Sequence, residues 1–215
     1  MALDPKRTVA ELKELRALTG DANGAQRVAW TDTWLKAREW FAGKLTGLPV
    51  EHHYDAAGNY WVTLPGKSEK ALLIGGHLDS VPNGGWLDGA LGVLAGLEIL
   101  RRISAEFNGR PPVTVRLVDW ADEEGARFGR SLLGSSAFAG TASIAADRLR
   151  TDREGVRMED ALRRAKVFDQ FLDARGTQTC GQGEREPVGA LVRSRVGVHN
   201  GHAGLVNINI IGHIA

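Results

Sequence analysis

Apolar positions in the first 50 residues recur at the spacing of two amphipathic helices. Leu12, Leu15 and Leu18 fall on one face of a helix that we expect Thr8 to cap and Gly20 to end. The stretch "TDTWLKAREWFAGKLTG" predicts a second helix, with a buried stripe and a stop signal formed by Trp34, Ala37, Phe41, Leu45 and Gly47.

The pattern then changes to short apolar runs separated by one apolar helix. "VEHHY" and "NYWVTL" flank "DAAG" and predict a hairpin, which leaves His52 and His53 as surface residues of an edge strand. "ALLIGG" and "VTVRLVDWA" are typical of strands buried on both faces, and "ALGVLAGLEILRRI" between them predicts a helix. A third helix is expected in "EDALRRAKVFDQFL". Strands alternating with helices predict an α/β fold, a mainly parallel sheet with helices on both faces.

Composition and charge narrow the class of protein. The 215 residues are 43% hydrophobic and 25% charged, which are ordinary globular values. The net charge of +1 gives no reason to expect a nucleic acid or a membrane as partner. A single cysteine, Cys180, excludes an internal disulfide and a multi-cysteine metal site. With no apolar leader or spanning run, we expect a cytoplasmic protein.

Ionisable side chains cluster just after the two apolar strands. His77 and Asp79 follow the first strand, and Asp122, Glu123 and Glu124 follow the second. In open α/β sheets ligands bind at the carboxyl ends of the strands, so parallel strands would bring these groups together. Asp88 lies on the glycine-rich loop that follows His77 and is expected to fold back over the same edge.

Imidazole together with several carboxylates is a ligand set for Zn²⁺, Mn²⁺ or Co²⁺. Asp79 can accept a hydrogen bond from the ring nitrogen of His77 that does not bind metal. Two other interpretations remain open at this stage: Asp88 as the cap of the following helix, and "DEE" as a solvated turn. The glycines of the loop favour the metal interpretation, because a bare backbone can approach an ion or a substrate closely.

Three motifs, "GGHLDSVPNGGWLDGALGVLAGLE", "DWADEEGARFG" and "LLGSSAFAG", resemble the metal-dependent amidase/hydantoinase/carbamoylase family. That family includes N-carbamoyl-L-amino-acid hydrolases, β-ureidopropionases and allantoate amidohydrolases, and it is related to aminoacylases and di-zinc exopeptidases. The resemblance implies a catalytic α/β domain with a smaller inserted domain that covers a small-molecule substrate and forms a homodimer. It also implies two divalent metal ions, zinc or else manganese or cobalt.

The resemblance assigns a role to each residue of the cluster. His77 resembles the ligand of the first metal, and Asp79 its hydrogen-bonding partner. Asp88 resembles the carboxylate that bridges both metals, and Glu124 the ligand of the second. Glu123 is similar to the general base that activates water.

Two departures from the family pattern concern the second half of the chain. The family has a ligand histidine in a segment of the type L-H-I-E-Q-G-P, whereas the matching stretch here, "FLDARGTQTCGQGE", places Arg175 at that point. Arginine has no lone pair for a metal. The aperiodic composition of Ala174–Gly183 suggests translation in a shifted reading frame, with a genuine loop of unusual composition as the alternative. The family's last ligand histidine is expected beyond residue 215.

The resemblance therefore covers the amino-terminal half of the family pattern. We expect residues 1–196 to form an incomplete catalytic domain and residues 197–215 to begin the inserted domain. The function expected is a metal-dependent amidohydrolase that cleaves a C–N bond of N-carbamoyl-L-amino acids or related ureido compounds, in an incomplete or inactive form. The alternatives are a non-catalytic fragment with weak metal binding and a di-metal peptidase or aminoacylase.

Overall fold

The computed structural model describes residues 2–68, 70–142, 144–165 and 211–214. The elements of these residues follow the chain in this order: α1 (Pro5–Thr19), β1 (Gly20–Asp21), β2 (Gly24–Ala25), α2 (Asp32–Gly43), β3 (Glu51–Tyr54), β4 (Tyr60–Leu64), β5 (Ala71–Gly76), α3 (Ala90–Glu106), β6 (Thr114–Asp119), α4 (Leu133–Phe138), α5 (Ile144–Asp147), α6 (Met158–Arg164) and β7 (Ile211–Ile214).

The predicted start of the first helix is wrong by one turn. Asp4 is the N-cap of α1, and its carboxylate accepts hydrogen bonds from the backbone N–H groups of Lys6 and Arg7. Pro5 then occupies the first turn, where its missing N–H costs nothing and its fixed φ suits the helix. Thr8 is buried within α1, and Gly20 ends the helix as predicted.

The second helix is confirmed, with an earlier end than expected. Thr31 caps α2 and accepts from the backbone N–H of Trp34, and Trp34, Ala37 and Phe41 are buried. The helix stops at Gly43, four residues before Gly47, because the next turn tightens into i→i+3 hydrogen bonds. The third helix is confirmed over Met158–Arg164, and the rest of its predicted span lies outside the described residues.

The α/β class is confirmed, but the sheet is mixed rather than mainly parallel. Its strand order is β3-β4-β6-β5-β7. Among the described strands, β5 and β6 are the one parallel pair, while β3–β4, β4–β6 and β5–β7 are antiparallel. Within the described residues, a strand–helix–strand unit occurs once, as β5–α3–β6, and it gives the parallel pair. The predicted hairpin β3–β4 joins the sheet through β4, which runs antiparallel to β6.

Three of the described helices cover one face of the sheet. α1, α2 and α3 pack on β4, β6 and the apolar side of β5 around a core that includes Leu15, Phe41, Val62, Leu97 and Leu117. On the opposite face, Phe138 of α4 contacts Trp61 and Trp120, with ring centroids 5.2 and 5.5 Å apart. A second cluster, which includes Trp30, Trp34, Phe128, Leu133 and Met158, joins the start of α2 to α4 and α6.

The predicted edge hairpin is also confirmed. β3 lies at the edge of the sheet, with His52 and His53 exposed as expected. None of the helices in the described part of the chain combines the length and apolarity needed to cross a membrane.

Candidate metal centre

The candidate site lies where the two parallel strands end side by side. Gly76, the last residue of β5, is paired in register with Asp119, the last residue of β6. The residues that follow, His77 in one case and residues 120–124 in the other, therefore leave the sheet at one edge. This confirms that the two strands deliver imidazole and carboxylates to the same place.

One imidazole and two carboxylates meet at this edge. His77, Glu123 and Glu124 each present a ligand atom, and these three atoms lie within 4.8 Å of one another. Nε2 of His77 is 3.5 Å from Oε2 of Glu123. The structure thus brings together the predicted ligands His77 and Glu124 with the predicted base Glu123, and both glutamates are close enough to serve as ligands.

Asp79 connects the two strand-end segments. Its buried carboxylate accepts hydrogen bonds from the backbone N–H groups of Glu123 (3.3 Å) and Glu124 (3.1 Å). Nδ1 of His77 lies 3.4 Å from Oδ1 of Asp79 and 3.1 Å from its backbone carbonyl oxygen. Asp79 therefore engages the ring nitrogen as predicted, with the carbonyl nearer than the carboxylate, and it also fixes the backbone that carries both glutamates.

Asp88 lies at the outer rim of the cluster. Its Oδ1 is 3.9 Å from Nε2 of His77, and its side chain is 62% exposed. It does not cap α3, since the N-cap is Gly89 and no side chain makes a capping hydrogen bond there. Gly89 has φ +63°, and a Cβ on it would stand 2.5 Å from the imidazole ring of His77. This close approach is a physical reason for a bare backbone next to the site.

Charges around His77 shift the pKa values of the cluster. Burial acts to lower the pKa of His77, but its hydrogen bond to Asp79 and the charges of Asp79 and Glu123 outweigh burial and raise the pKa to about 9. Burial raises the pKa of Glu123 and of Glu124, and the positive charge of His77 opposes that rise. In the absence of metal, the imidazole therefore holds a proton among the carboxylates at neutral pH.

Two further buried acids lie beside the cluster: Asp119, to which the sequence assigns no role, and Asp122, which the sequence places among the ionisable residues after the second strand. Asp119 accepts from the backbone N–H of Leu78 (2.7 Å) and forms a fully buried ion pair with Arg38 (2.7 Å). Asp122 accepts from the indole N–H of Trp30, and burial together with the charge of Asp79 raises the pKa of Asp122 to about 7. The sequence does contain one indication of the buried ion pair: Arg38 follows Trp34 by four residues, on the buried side of α2, where a charged side chain needs a partner.

Other predictions for the site fall outside the described residues. Arg175, Cys180 and the hypothesis of a shifted frame over Ala174–Gly183 belong to this group, as does the predicted domain boundary between residues 196 and 197.

The donor set fits a divalent transition-metal ion. One imidazole nitrogen and two carboxylates lie close enough together to surround one ion, and Zn²⁺, Mn²⁺ and Co²⁺ all accept these donors. Because Nδ1 of His77 is engaged by Asp79, Nε2 is the ring atom that faces Glu123. The fit rests on this orientation and on the convergence of the three side chains.

A mixed α/β sheet with a histidine–carboxylate cluster at its strand ends defines an α/β protein with a candidate metal centre of the kind found in hydrolases. The sequence model of peptidase family M28 matches residues 59–170, which include the whole cluster. The chain belongs to that family.

Its relatives include amidohydrolases. It is 37% identical over 146 residues to an N-carbamoyl-L-amino acid amidohydrolase of Geobacillus stearothermophilus, covering 67% of this chain and 35% of the relative. It is 32% identical to the allantoate amidohydrolase of Escherichia coli, covering 66% and 35%. Among solved structures, a hydantoinase/carbamoylase-family amidase from Burkholderia phymatum superposes with a TM-score of 0.69 and 36% identity, covering 78% of this chain and 41% of that one. The family resemblance seen in the three motifs is confirmed.

These matches concern part of each relative. The chain spans about a third of the length of the curated relatives it matches, 35% in both cases above.

Proposed function

We propose that this chain carries the metal centre of an amidohydrolase that cleaves a C–N bond of N-carbamoyl-L-amino acids or related ureido compounds. The observation that carries the proposal is the convergence of His77, Glu123 and Glu124 at the end of two parallel strands. The relatives named as N-carbamoyl-L-amino-acid and allantoate amidohydrolases support the choice of a ureido substrate.

A bound divalent ion would supply Lewis-acid chemistry, polarising the scissile carbonyl and lowering the pKa of water. His77 is proposed as a ligand of one ion and Glu124 as a ligand of a second, with Asp88 at the rim as the carboxylate that both ions would share. Zinc, manganese and cobalt all suit these donors. Asp79 keeps the imidazole and both glutamates oriented through its hydrogen bonds.

Glu123 is proposed as the general base. Its carboxylate would take a proton from the attacking water and return it to the amine that leaves. Without metal, burial raises the pKa of Glu123, and the positive charge of His77 opposes that rise. Since Glu123 is half-buried, it remains accessible to a water molecule.

A second candidate function is peptide hydrolysis, favoured by the match to peptidase family M28. The same residues would then act on a dipeptide or an acylated amino acid. A third candidate is a non-catalytic chain that binds metal weakly.

The test uses the purified 215-residue chain, loaded in turn with Zn²⁺, Mn²⁺ and Co²⁺. Each preparation is incubated with N-carbamoyl-L-amino acids, with allantoate and with dipeptides, and the release of ammonia or free amine is measured. Hydrolysis of the ureido compounds alone supports the proposal, and Glu123→Gln serves as the control. Hydrolysis of dipeptides alone would show a peptidase. Bound metal without any turnover would favour the non-catalytic alternative.

A homodimer and a cytoplasmic location stay predictions. So does the number of metal ions per chain, which elemental analysis of the loaded protein would give.

A further inference from the structure

A fully buried arginine lies beneath the segment that carries His77 and Asp79. Arg27 has no exposed surface, and its backbone pairs with Ser80 in both directions: the N–H of Arg27 donates to Oγ of Ser80 (3.0 Å), and the N–H of Ser80 donates to the carbonyl of Arg27 (2.9 Å). Its side-chain Nε donates to the carbonyl oxygen of Leu78 (2.7 Å). Arg27 therefore holds the residues on both sides of Asp79.

The pairing of its charge is unusual. Nη1 of Arg27 makes one long contact, 3.4 Å, to the hydroxyl of Thr19, and Nη2 is buried with no hydrogen-bond partner in the described part of the chain. Burial lowers the pKa of Arg27, while the charges of Asp79 and Asp119 raise it. Burying a cation without a direct carboxylate partner costs free energy, and the charges of Asp79 and Asp119 offset only part of that cost here.

The contacts of Asp79 extend this arrangement to the glutamates. The carboxylate of Asp79 accepts hydrogen bonds from the backbone N–H groups of Glu123 and Glu124. A shift of residues 78–80 would therefore displace the backbone that carries both glutamates. The neighbouring N–H of Leu78 is fixed separately by Asp119. Arg27 thus joins residues 78–80 to the rest of the fold without touching the cluster itself.

We propose that Arg27 is a positioning residue of the metal centre: through the hydrogen bond from its side chain to the carbonyl of Leu78, next to Asp79, it sets the geometry of His77, Glu123 and Glu124. This inference rests on the metal centre proposed above and adds a residue that lies outside the three family-like motifs. Groups that orient metal ligands from behind contribute about 10- to 100-fold to metal affinity.

The test compares Arg27→Met and Arg27→Lys with a matched control, Arg101→Met. Arg101 forms a two-point ion pair with Glu11 (2.9 Å for each bond) between α3 and α1, away from the strand ends. Its removal should weaken the fold without altering the site. Two readouts are used on the full chain: hydrogen exchange of backbone amides without metal, and titration with Co²⁺ followed by its visible absorption.

In Arg27→Met, the amides of Glu123 and Glu124 should exchange about tenfold faster or more while the amides of α1 keep their protection. Co²⁺ affinity should fall about 10- to 100-fold with a changed absorption spectrum. Arg27→Lys keeps the charge and should restore part of both losses. Arg101→Met should instead expose α1 to exchange and leave the Co²⁺ spectrum unchanged.

Unchanged exchange at Glu123 and Glu124 in an Arg27 variant, or losses equal to those of Arg101→Met, would overturn the inference. If Arg27→Met does not fold, Arg27→Lys decides: wild-type exchange and a wild-type spectrum would again overturn it. If the wild-type chain binds no Co²⁺, the proposed metal centre fails, and the exchange comparison still decides the role of Arg27.

Discussion

Asp79→Asn tests the three contacts that the carboxylate of Asp79 makes. The substitution keeps the size of the side chain and removes its charge. A carboxylate offers acceptors only, and here it receives two backbone N–H groups and faces a ring nitrogen. An amide has one oxygen and one NH₂ group. In Asp79→Asn, the NH₂ group would therefore face one of the N–H groups that a carboxylate oxygen now accepts, and that hydrogen bond would be lost.

The expected cost follows from these contacts. Losing one charge-assisted hydrogen bond to a buried group costs about 1.5–3 kcal/mol, and distances of 3.1 and 3.3 Å place each bond at the weak end of that range. Removing the charge of Asp79 also relieves its repulsion of Asp122, whose pKa it helps to raise. We therefore expect a net loss of about 1–2 kcal/mol in the free energy of unfolding, or roughly 2–8 °C in Tm for a chain of this size.

The assay is thermal and urea unfolding of the metal-free protein, combined with calorimetric titration of Zn²⁺. Affinity for zinc should fall about 10- to 100-fold, since the orientation of His77 and of both glutamates depends on Asp79. The pKa of His77 should also fall, because the hydrogen bond to Asp79 and the charge of Asp79 are the largest influences that raise it. An Asp79→Asn protein with unchanged stability, zinc affinity and His77 pKa would refute the reasoning.

The remaining predictions concern pH, the base and the glycine beside the imidazole. The pKa of His77 is raised from 6.5 to about 9 in the folded protein, so His77 should stabilise the metal-free fold fully below pH 6.5 and lose that contribution as the pH rises to 9. Unfolding curves measured across this pH range check the prediction, and a free energy of unfolding that does not change with pH contradicts it. Zinc should bind more tightly as pH rises toward 9, with release of about one proton in calorimetry. Glu123→Gln should retain metal and lose about 10²–10⁴-fold in turnover in an active preparation; near-normal turnover would remove Glu123 from the mechanism. Gly89→Ala should lower the free energy of unfolding by about 1–2 kcal/mol because of the positive φ alone, and it should weaken metal binding because the added methyl group contacts His77. A variant with the Tm and the metal affinity of the wild type would contradict both expectations.

The sequence was sufficient for features that depend on local patterns. Strands β5 and β6 and helix α3 lie where apolar runs predicted them, and the ionisable residues just after the strands meet because parallel neighbours end at one edge. The direction of β4 does not follow from its sequence, because the pattern of apolar residues in a strand does not show which neighbour it pairs with or in which direction. The start of α1 was misplaced because Asp4 and Pro5 together made a better helix start than Thr8.

The buried supports of the site were beyond the reach of the sequence. Arg27 and Leu78 are 51 residues apart, and Arg38 and Asp119 are 81 apart. Neither pair has a spacing that marks it, because such contacts depend on how distant segments pack. The double attachment of Asp79 to the amides of Glu123 and Glu124 is likewise a property of the folded backbone.

Titration of the metal-free chain with Co²⁺, read by visible absorption, tests the proposed metal centre most directly. The wild-type chain should give a saturable spectrum, and both His77→Ala and Glu124→Ala should abolish it or weaken binding by about 100-fold or more, because each removes a proposed metal ligand. His52→Ala, which changes an exposed edge-strand histidine, should bind as the wild type does. Equal binding by the wild type and His77→Ala would contradict the proposal.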